Sequence, residues 1–201
     1  MLKELRADLA RYRAMGHGDL EIAGHPAFWS VICYRFGHWI YKQGAPAFLR
    51  WPSKVLYPFL YKFLEAIMQM RLDPSAEIGA GLYISHSGGI HIHPDVVIGT
   101  NCNLTHNVTI GTSAMGRPGV PRIGDDVYIG TGATLIGDIR VGSGAKIAAN
   151  TLVMNNVPAG ATVMGVPGRV MMRSQPQEAA NQPAMALKDG NRDDARRSAA
   201  G

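Results

Sequence analysis

Residues 123–153 read IGDDVYIGTGATLIGDIRVGSGAKIAANTLV, and an aliphatic residue returns at every sixth position: Ile123, Ile129, Leu135, Val141, Ile147 and Val153. That period fits neither a helix, which repeats every 3.6 residues, nor a lone strand, which repeats every two. It fits a hexapeptide solenoid, in which each hexad forms one short side of a triangular coil and its aliphatic residue points inward. Small residues at the corners let the backbone turn, and glycine tolerates a positive φ there cheaply. An ordinary sheet with glycine turns has no reason to keep these residues in phase.

Outward from this stretch the same spacing continues. Leu72, Ile78, Ile84 and Ile90 form one in-phase block, and Ile92, Ile98, Leu104 and Ile110 form another. At three hexads per coil, the repeats make roughly four to five coils. Between Ile110 and Ile123 the period slips by one residue over two hexads, and TSAMGRPGVPR (112–122) has no inward aliphatics. This predicts a loop thrown out of the coil, a usual place for function. VPAGA (157–161) and GVPGR (165–169) close the solenoid.

Residues 1–70 read as an α-helical N-terminal region, with helices over 2–14, 27–43 and 46–69 and a boundary at His25-Pro26. Residues 71–170 are the coils. The tail, 171–201, turns rich in Gln, Ala, Asp and Arg with little to bury, so disorder is expected.

Composition sets further bounds. A chain of 201 residues with 46% hydrophobic and 17% charged residues suits one compact domain with extensions. A net charge of +5 is mild and does not point to nucleic acid; part of it could serve a charged coenzyme. Cys33 and Cys102 are too few for a zinc set, and two distant thiols suggest a reducing, cytoplasmic setting. Residues 1–15 read as a charged amphipathic helix and not as a secretory leader. The apolar stretch from Phe28 to Met70 is broken by charged residues and prolines, so no membrane span is expected. Packing among helices is the expected role of Trp51–Met70; peripheral membrane association through an interfacial helix is the alternative.

Three segments carry a family resemblance: PAFWSVICYRFGHWIYKQG (26–44), DPSAEIGAGLYISHSGGI (73–90) and GVPGRV (165–170). In this order and spacing they resemble the serine acetyltransferase family of hexapeptide-repeat acyltransferases, over roughly residues 25–170. The resemblance implies a mainly β fold, a left-handed parallel β-helix, assembled as a homotrimer or a dimer of trimers with the active site between subunits. It also implies transfer of an acetyl group from acetyl-CoA, the co-substrate, to a hydroxyl.

The family's general base falls on His86. Imidazole is the side chain best poised to take a proton from a hydroxyl near neutral pH. By the same resemblance, Gly111 and Thr112 lie where backbone N–H groups would stabilise the oxyanion. Coenzyme A would run along Gly130, Thr131, Lys146 and Ala149, with Arg169 as a phosphate partner. The bland alternatives are a surface histidine on a corner and solvated surface cations.

Three positions depart from the family. Ser85 stands where the family has Asp before the catalytic histidine. Gly119-Val120 stand where it has Arg-His. Arg71 stands where it has the Asp that orients the base, although Asp73 lies two residues on and is the candidate substitute. The first two positions hold the charges of serine in the family, and a zwitterion in a partly dry cleft needs both charges matched. Ser85 and Arg117 are therefore the candidate acceptor-binding residues. The departures favour an uncharged acceptor, a saccharide hydroxyl as in exopolysaccharide assembly, over L-serine; Arg117 could restore a carboxylate contact.

His106 and His86 each follow an inward aliphatic, Leu104 and Ile84, by two residues. If the phase shift at Ile90/Ile92 is a local bulge, His106 lies on the same face one coil along, about 4.8 Å away in backbone spacing. Two adjacent imidazoles resist being protonated together, which makes His106 a candidate helper of His86; the alternative is a structural histidine. His91-x-His93 supplies two metal-ligand types without a third nearby, so no metal is expected. His17, His25 and His38 are expected to serve packing or caps. The reading from another class is a non-catalytic hexapeptide scaffold or metal-binding solenoid.

Overall fold

The computed structural model describes residues 1–42, 46–114 and 118–171. The tail expected to be disordered, from residue 172 on, lies outside them. Four helices come first: α1 (Leu2–Ala14), α2 (Asp19–Ala23), α3 (Pro26–Tyr41) and α4 (Ala47–Met68). The short α2 has no counterpart in the sequence reading. The strands then wind as five coils. Coil one holds β1 (Met70–Leu72), β2 (Glu77–Ile78) and β3 (Tyr83–Ile84); coil two holds β4 (Ile90–Ile92), β5 (Val97–Ile98) and β6 (Asn103–Leu104). Coil three holds β7 (Thr109–Gly111), β8 (Arg122–Ile123) and β9 (Tyr128–Ile129); coil four holds β10 (Thr134–Ile136), β11 (Arg140–Val141) and β12 (Lys146–Ile147). The last coil has β13 (Leu152–Val153) and β14 (Thr162–Met164), and β15 (Arg169–Met171) folds back antiparallel on β14.

Three parallel sheets form the faces of a prism. The first face stacks β1, β4, β7, β10 and β13; the second β2, β5, β8 and β11; the third β3, β6, β9, β12 and β14. The inward residues pair coil to coil. One ladder runs Leu72, Ile92, Ile110, Leu135, Val153, and another runs Ile84, Leu104, Ile129, Ile147, Val163. All are buried. A second inward position lies two residues before each of these, filled by Met70, Ile90, Val108, Ala133 and Thr151 on the first face and by Leu82, Cys102, Val127, Ala145 and Ala161 on the third. The six-residue pattern therefore carries two core residues per side, the earlier one often small.

The two irregularities resolve into insertions at corners. Ile90 does not end a block; it occupies that earlier inward position on β4, paired with Met70, while Ile92 pairs with Leu72. The extra residues sit in the Ser85–Gly89 corner. Similarly, Ile110 and Ile123 lie on successive faces, so their thirteen-residue separation replaces a single six-residue step. Seven residues are extra, which corrects the reading of two hexads with a slip. Val120 packs against the core at the base of this loop.

The helices cap the open end of the prism. An exposed first coil would leave a row of unpaired backbone groups, a liability for any sheet edge. Side chains from α1 and α3 satisfy them. Tyr34 donates to the Ala76 carbonyl at 2.8 Å and accepts from the Ile78 amide at 3.1 Å. Tyr12 does the same at Ile84, at 3.1 and 3.2 Å. Asp8 accepts the Gly81 and Leu82 amides at 2.9 and 2.8 Å, and Arg35 donates to the Ile78 and Gly79 carbonyls at 2.6 and 2.7 Å. Asp8 and Arg35 form a bidentate pair between them, at 2.8 and 3.0 Å. One side of α4 packs on α3, burying Tyr57; the opposite side leaves Val55, Leu56, Phe59, Phe63 and Ile67 exposed. Among the described residues no helix is long and apolar enough to cross a membrane.

Candidate active site

The corner joining the third face to the first carries the chain's two adjacent histidines. His86 follows β3 and His106 follows β6, and because Ile84 pairs with Leu104 the two rings meet one coil apart. Their centroids are 5.7 Å apart with an interplanar angle of 69°, an edge-on contact. His86 is exposed and His106 half-buried, so a molecule arriving from solvent reaches His86.

The local chain explains how His86 is presented. Ser85 donates its N–H to the Leu104 carbonyl at 3.0 Å, continuing the ladder up to the histidine. The corner then needs two left-handed residues, Gly88 at φ 110° and Gly89 at φ 65°. A Cβ at Gly89 would collide with the side-chain carbonyl of Asn107, so glycine is required for space as well as for φ.

The same edge continues past the histidines. Two residues beyond Ile129 and Ile147, the equivalents of His86 and His106 are Thr131 and Ala149. Gly132 donates to the His106 carbonyl at 3.2 Å, and Asn150 to the Thr131 carbonyl at 2.7 Å. His86, His106, Gly130-Thr131 and Ala149 therefore lie in one line spanning roughly 14 Å at the parallel-strand spacing. The Ala149 amide passes so close to Gly130 that a Cβ there would come within 2.7 Å of it. This leaves a shallow, small-residue track bordered by backbone. Lys146, on β12, and Arg169, on β15, are exposed on the third face beside it.

Other nominated residues are not brought to His86 within one chain. Asp73, Gly111 and Thr112 lie on the next edge, across the first face. Asp73 instead closes its own turn, its carboxylate accepting the Ser75 amide at 2.9 Å. Its nomination as orienter of His86 therefore has no support inside a single chain, because two prism edges are separated by the width of a face. Val120, partly buried at the base of the loop, packs against the core. Arg117 lies outside the described residues.

The first face carries a depression of about 410 Å³ between these edges. It is lined by Arg71, His91, His93, Thr109, Gly111 and Thr112, among others. Arg71 and His91 stand side by side in the β1–β4 register, and Arg71 places a positive charge on this face. Among the described residues, no three His, Cys, Asp or Glu side chains are placed to hold a metal ion. Burial pushes the Cys33 and Cys102 thiols up to about 11, which suits core packing more than reaction.

The sequence reading missed two residues at the corner. His25, at the start of α3, donates Nε2–H to the Ser85 carbonyl at 3.1 Å. His17 donates Nδ1–H to the Glu21 carboxylate at 2.7 Å and accepts from the Tyr83 hydroxyl at 2.9 Å. Only His38 keeps a purely capping role, on the Pro74 carbonyl at 2.9 Å. No local signal ties His17 and His25 to this corner, since their partners there, Tyr83 and Ser85, lie 66 and 60 residues away.

The prism is built of hexapeptide repeats and carries an exposed imidazole on one edge, and residues 121–155 match the family described as bacterial transferase hexapeptide (six repeats). The serine acetyltransferase of Synechococcus elongatus is 32% identical over 179 residues, 87% of this chain and 70% of that protein. The chain spans 63% and 50% of the serine acetyltransferases of Mycobacterium tuberculosis and Escherichia coli. Among solved structures, Neisseria gonorrhoeae serine acetyltransferase in complex with serine superposes with a TM-score of 0.72 at 33% identity, over 85% of this chain and 68% of that one. A serine acetyltransferase in complex with CoA superposes with a TM-score of 0.71 at 29% identity, over 84% and 68%. The chain belongs to the serine acetyltransferase family, and with it to the acyltransferases that draw on acetyl-CoA.

Proposed function

We propose that this chain transfers acetyl from acetyl-CoA to the hydroxyl of L-serine, with His86 as general base. The observation that carries the chemistry is the exposed His86 edge-on to His106, at the head of a backbone-bordered track that continues to Ala149. His86 accepts the acceptor's hydroxyl proton while the oxygen attacks the thioester carbonyl. The tetrahedral oxyanion collapses by breaking the C–S bond. The leaving thiolate takes the proton back from the imidazolium, giving the O-acetyl product and CoA. Neither cysteine takes part. The track would hold the pantetheine arm, and Lys146 and Arg169 would meet phosphate charge.

Backbone N–H groups at Gly111-Thr112 lie one edge away from His86, so they would serve the oxyanion of a second copy. This supports a homotrimer or dimer of trimers with the site between subunits. Peripheral membrane contact through the exposed side of α4 is not needed for the reaction.

The relatives' names favour L-serine over the saccharide to which the sequence departures point. Arg71 beside the depression offers a cation for the serine carboxylate. One observation keeps a saccharide as the second reading. Ser85 carries no charge, so the serine ammonium lacks a carboxylate at the position where the family has one.

Thiol release from acetyl-CoA, measured with wild type and His86→Ala against L-serine and a panel of sugars, decides between them. Serine-dependent release that the variant loses supports the main reading. Release with a saccharide alone transfers the chain to glycan O-acetylation. Silence with every acceptor, with no acetyl-CoA binding, leaves a scaffold.

A further inference from the structure

The helical cap does more than cover the end of the prism, because two of its histidines are built into the corner that presents His86. His25 is seated between the rings of Tyr12, at 5.4 Å, and His17, at 5.5 Å, both edge-on. His17 in turn is tied to Glu21 and Tyr83. The Ser85 carbonyl that receives the His25 Nε2–H belongs to the peptide unit leading directly into His86. That bond fixes the tautomer, since a carbonyl accepts only from a protonated nitrogen, and leaves Nδ1 as a bare acceptor.

Three buried polar atoms at this corner have no hydrogen-bond partner: His25 Nδ1, Ser85 Oγ and His106 Nδ1. Unpaired buried polar atoms are uncommon and costly in a packed structure. Their concentration beside one exposed histidine marks the corner as built for something other than stability. The segment being held is also an insertion in the solenoid, with two successive left-handed glycines. On the solenoid side, the chain is held by the bond of the Ser85 N–H to the Leu104 carbonyl, one peptide unit earlier.

We propose that His25 is a positioning residue for His86: its Nε2–H clamps the Ser85 carbonyl and so sets the direction in which His86 leaves the corner. The inference rests on His86 being the base. His25 itself touches no reacting atom, and its burial disfavours the charged ring that would otherwise sit beside His86. Burial acts first, followed by the neighbouring His17 and His86, against the Ser85 hydrogen bond and Glu21.

The test compares His25→Ala, which removes the donor, with His25→Gln, whose amide can donate to the same carbonyl. Two readouts are needed: steady-state kinetics and the ring resonances of His86 in isotope-labelled protein. A small misplacement of a base can cost about a hundredfold. The Ala variant should lose about ten- to a hundredfold in kcat with its KM for acetyl-CoA unchanged, and its His86 resonance should move. The Gln variant should recover most of both. Wild-type kcat and an unmoved resonance in His25→Ala would overturn the proposal. Equal impairment of both variants alongside a lowered melting temperature would also overturn it, leaving a packing role. Should wild type acetylate no acceptor, the proposed function fails, and the resonance comparison still decides the clamp.

Discussion

Asp8→Ala should detach the helical cap, and the structure allows the loss to be sized. The Asp8 side chain is 0% exposed and that of Arg35 is 3% exposed. Truncation leaves a buried guanidinium held by two carbonyls but with no counter-charge. Breaking one side of a buried pair typically costs about 3–5 kcal/mol. It also orphans the Gly81 and Leu82 amides, at about 1–3 kcal/mol each if no water enters. These contributions overlap, because water admitted to the vacated space serves both, so the expected loss is about 4 kcal/mol. That is a large part of the roughly 5–15 kcal/mol that holds a domain folded. Urea unfolding at a fixed protein concentration gives the loss, and limited proteolysis within residues 1–68 reports whether the cap has lifted. Arg35→Met in the Asp8→Ala background removes the stranded charge. Since four backbone groups then lack partners, it should recover the loss only in part. A loss below about 1 kcal/mol, or strictly additive single and double variants, would refute the reasoning.

Gly89→Ala should cost about 1–2 kcal/mol for the left-handed backbone alone, with more from the collision with Asn107, and should lower kcat through the His86 corner. Unfolding midpoints and turnover of this variant check both halves, and a wild-type kcat would count against the corner's role. Acid stability offers a further check. Burial, then His17 and His86, hold His25 below the ordinary histidine value, while the Ser85 hydrogen bond and Glu21 act the other way. The unfolded chain therefore binds that proton first, and stability falls as pH drops from about 6.5 through the lower folded value. His25→Gln should flatten the change in urea midpoint between pH 7.5 and 5.5; an unchanged slope would assign the acid loss to other groups.

The prism, its three faces and the burial of its aliphatic ladders follow from the six-residue period read along the chain. So does the meeting of His86 with His106, once the extra residues are placed in the SHSGG corner. Each hexad repeats one local geometry, so spacing along the chain converts directly into position around the prism. The seven-residue excess between Ile110 and Ile123 was hidden because thirteen residues lie one away from two hexads, and only strand pairing shows which face each aliphatic joins.

Residues with no period were beyond that reading. Asp73 is the candidate orienter because it lies two residues from Arg71, which stands where the family has its Asp, yet one step along a coil moves a side chain to another edge. Conversely, His17 and His25 lie among helix boundaries some sixty residues before the corner they brace. Asp8, Tyr12, Tyr34 and Arg35 likewise read as ordinary helix positions. Periodicity records what a residue does for its own coil. Which helix closes the open end of the prism, and which donor meets which orphaned backbone group, depends on packing between segments distant in the chain. The sequence by itself therefore determined the solenoid and the line of its candidate base, and the tertiary structure alone decided what holds that base in place.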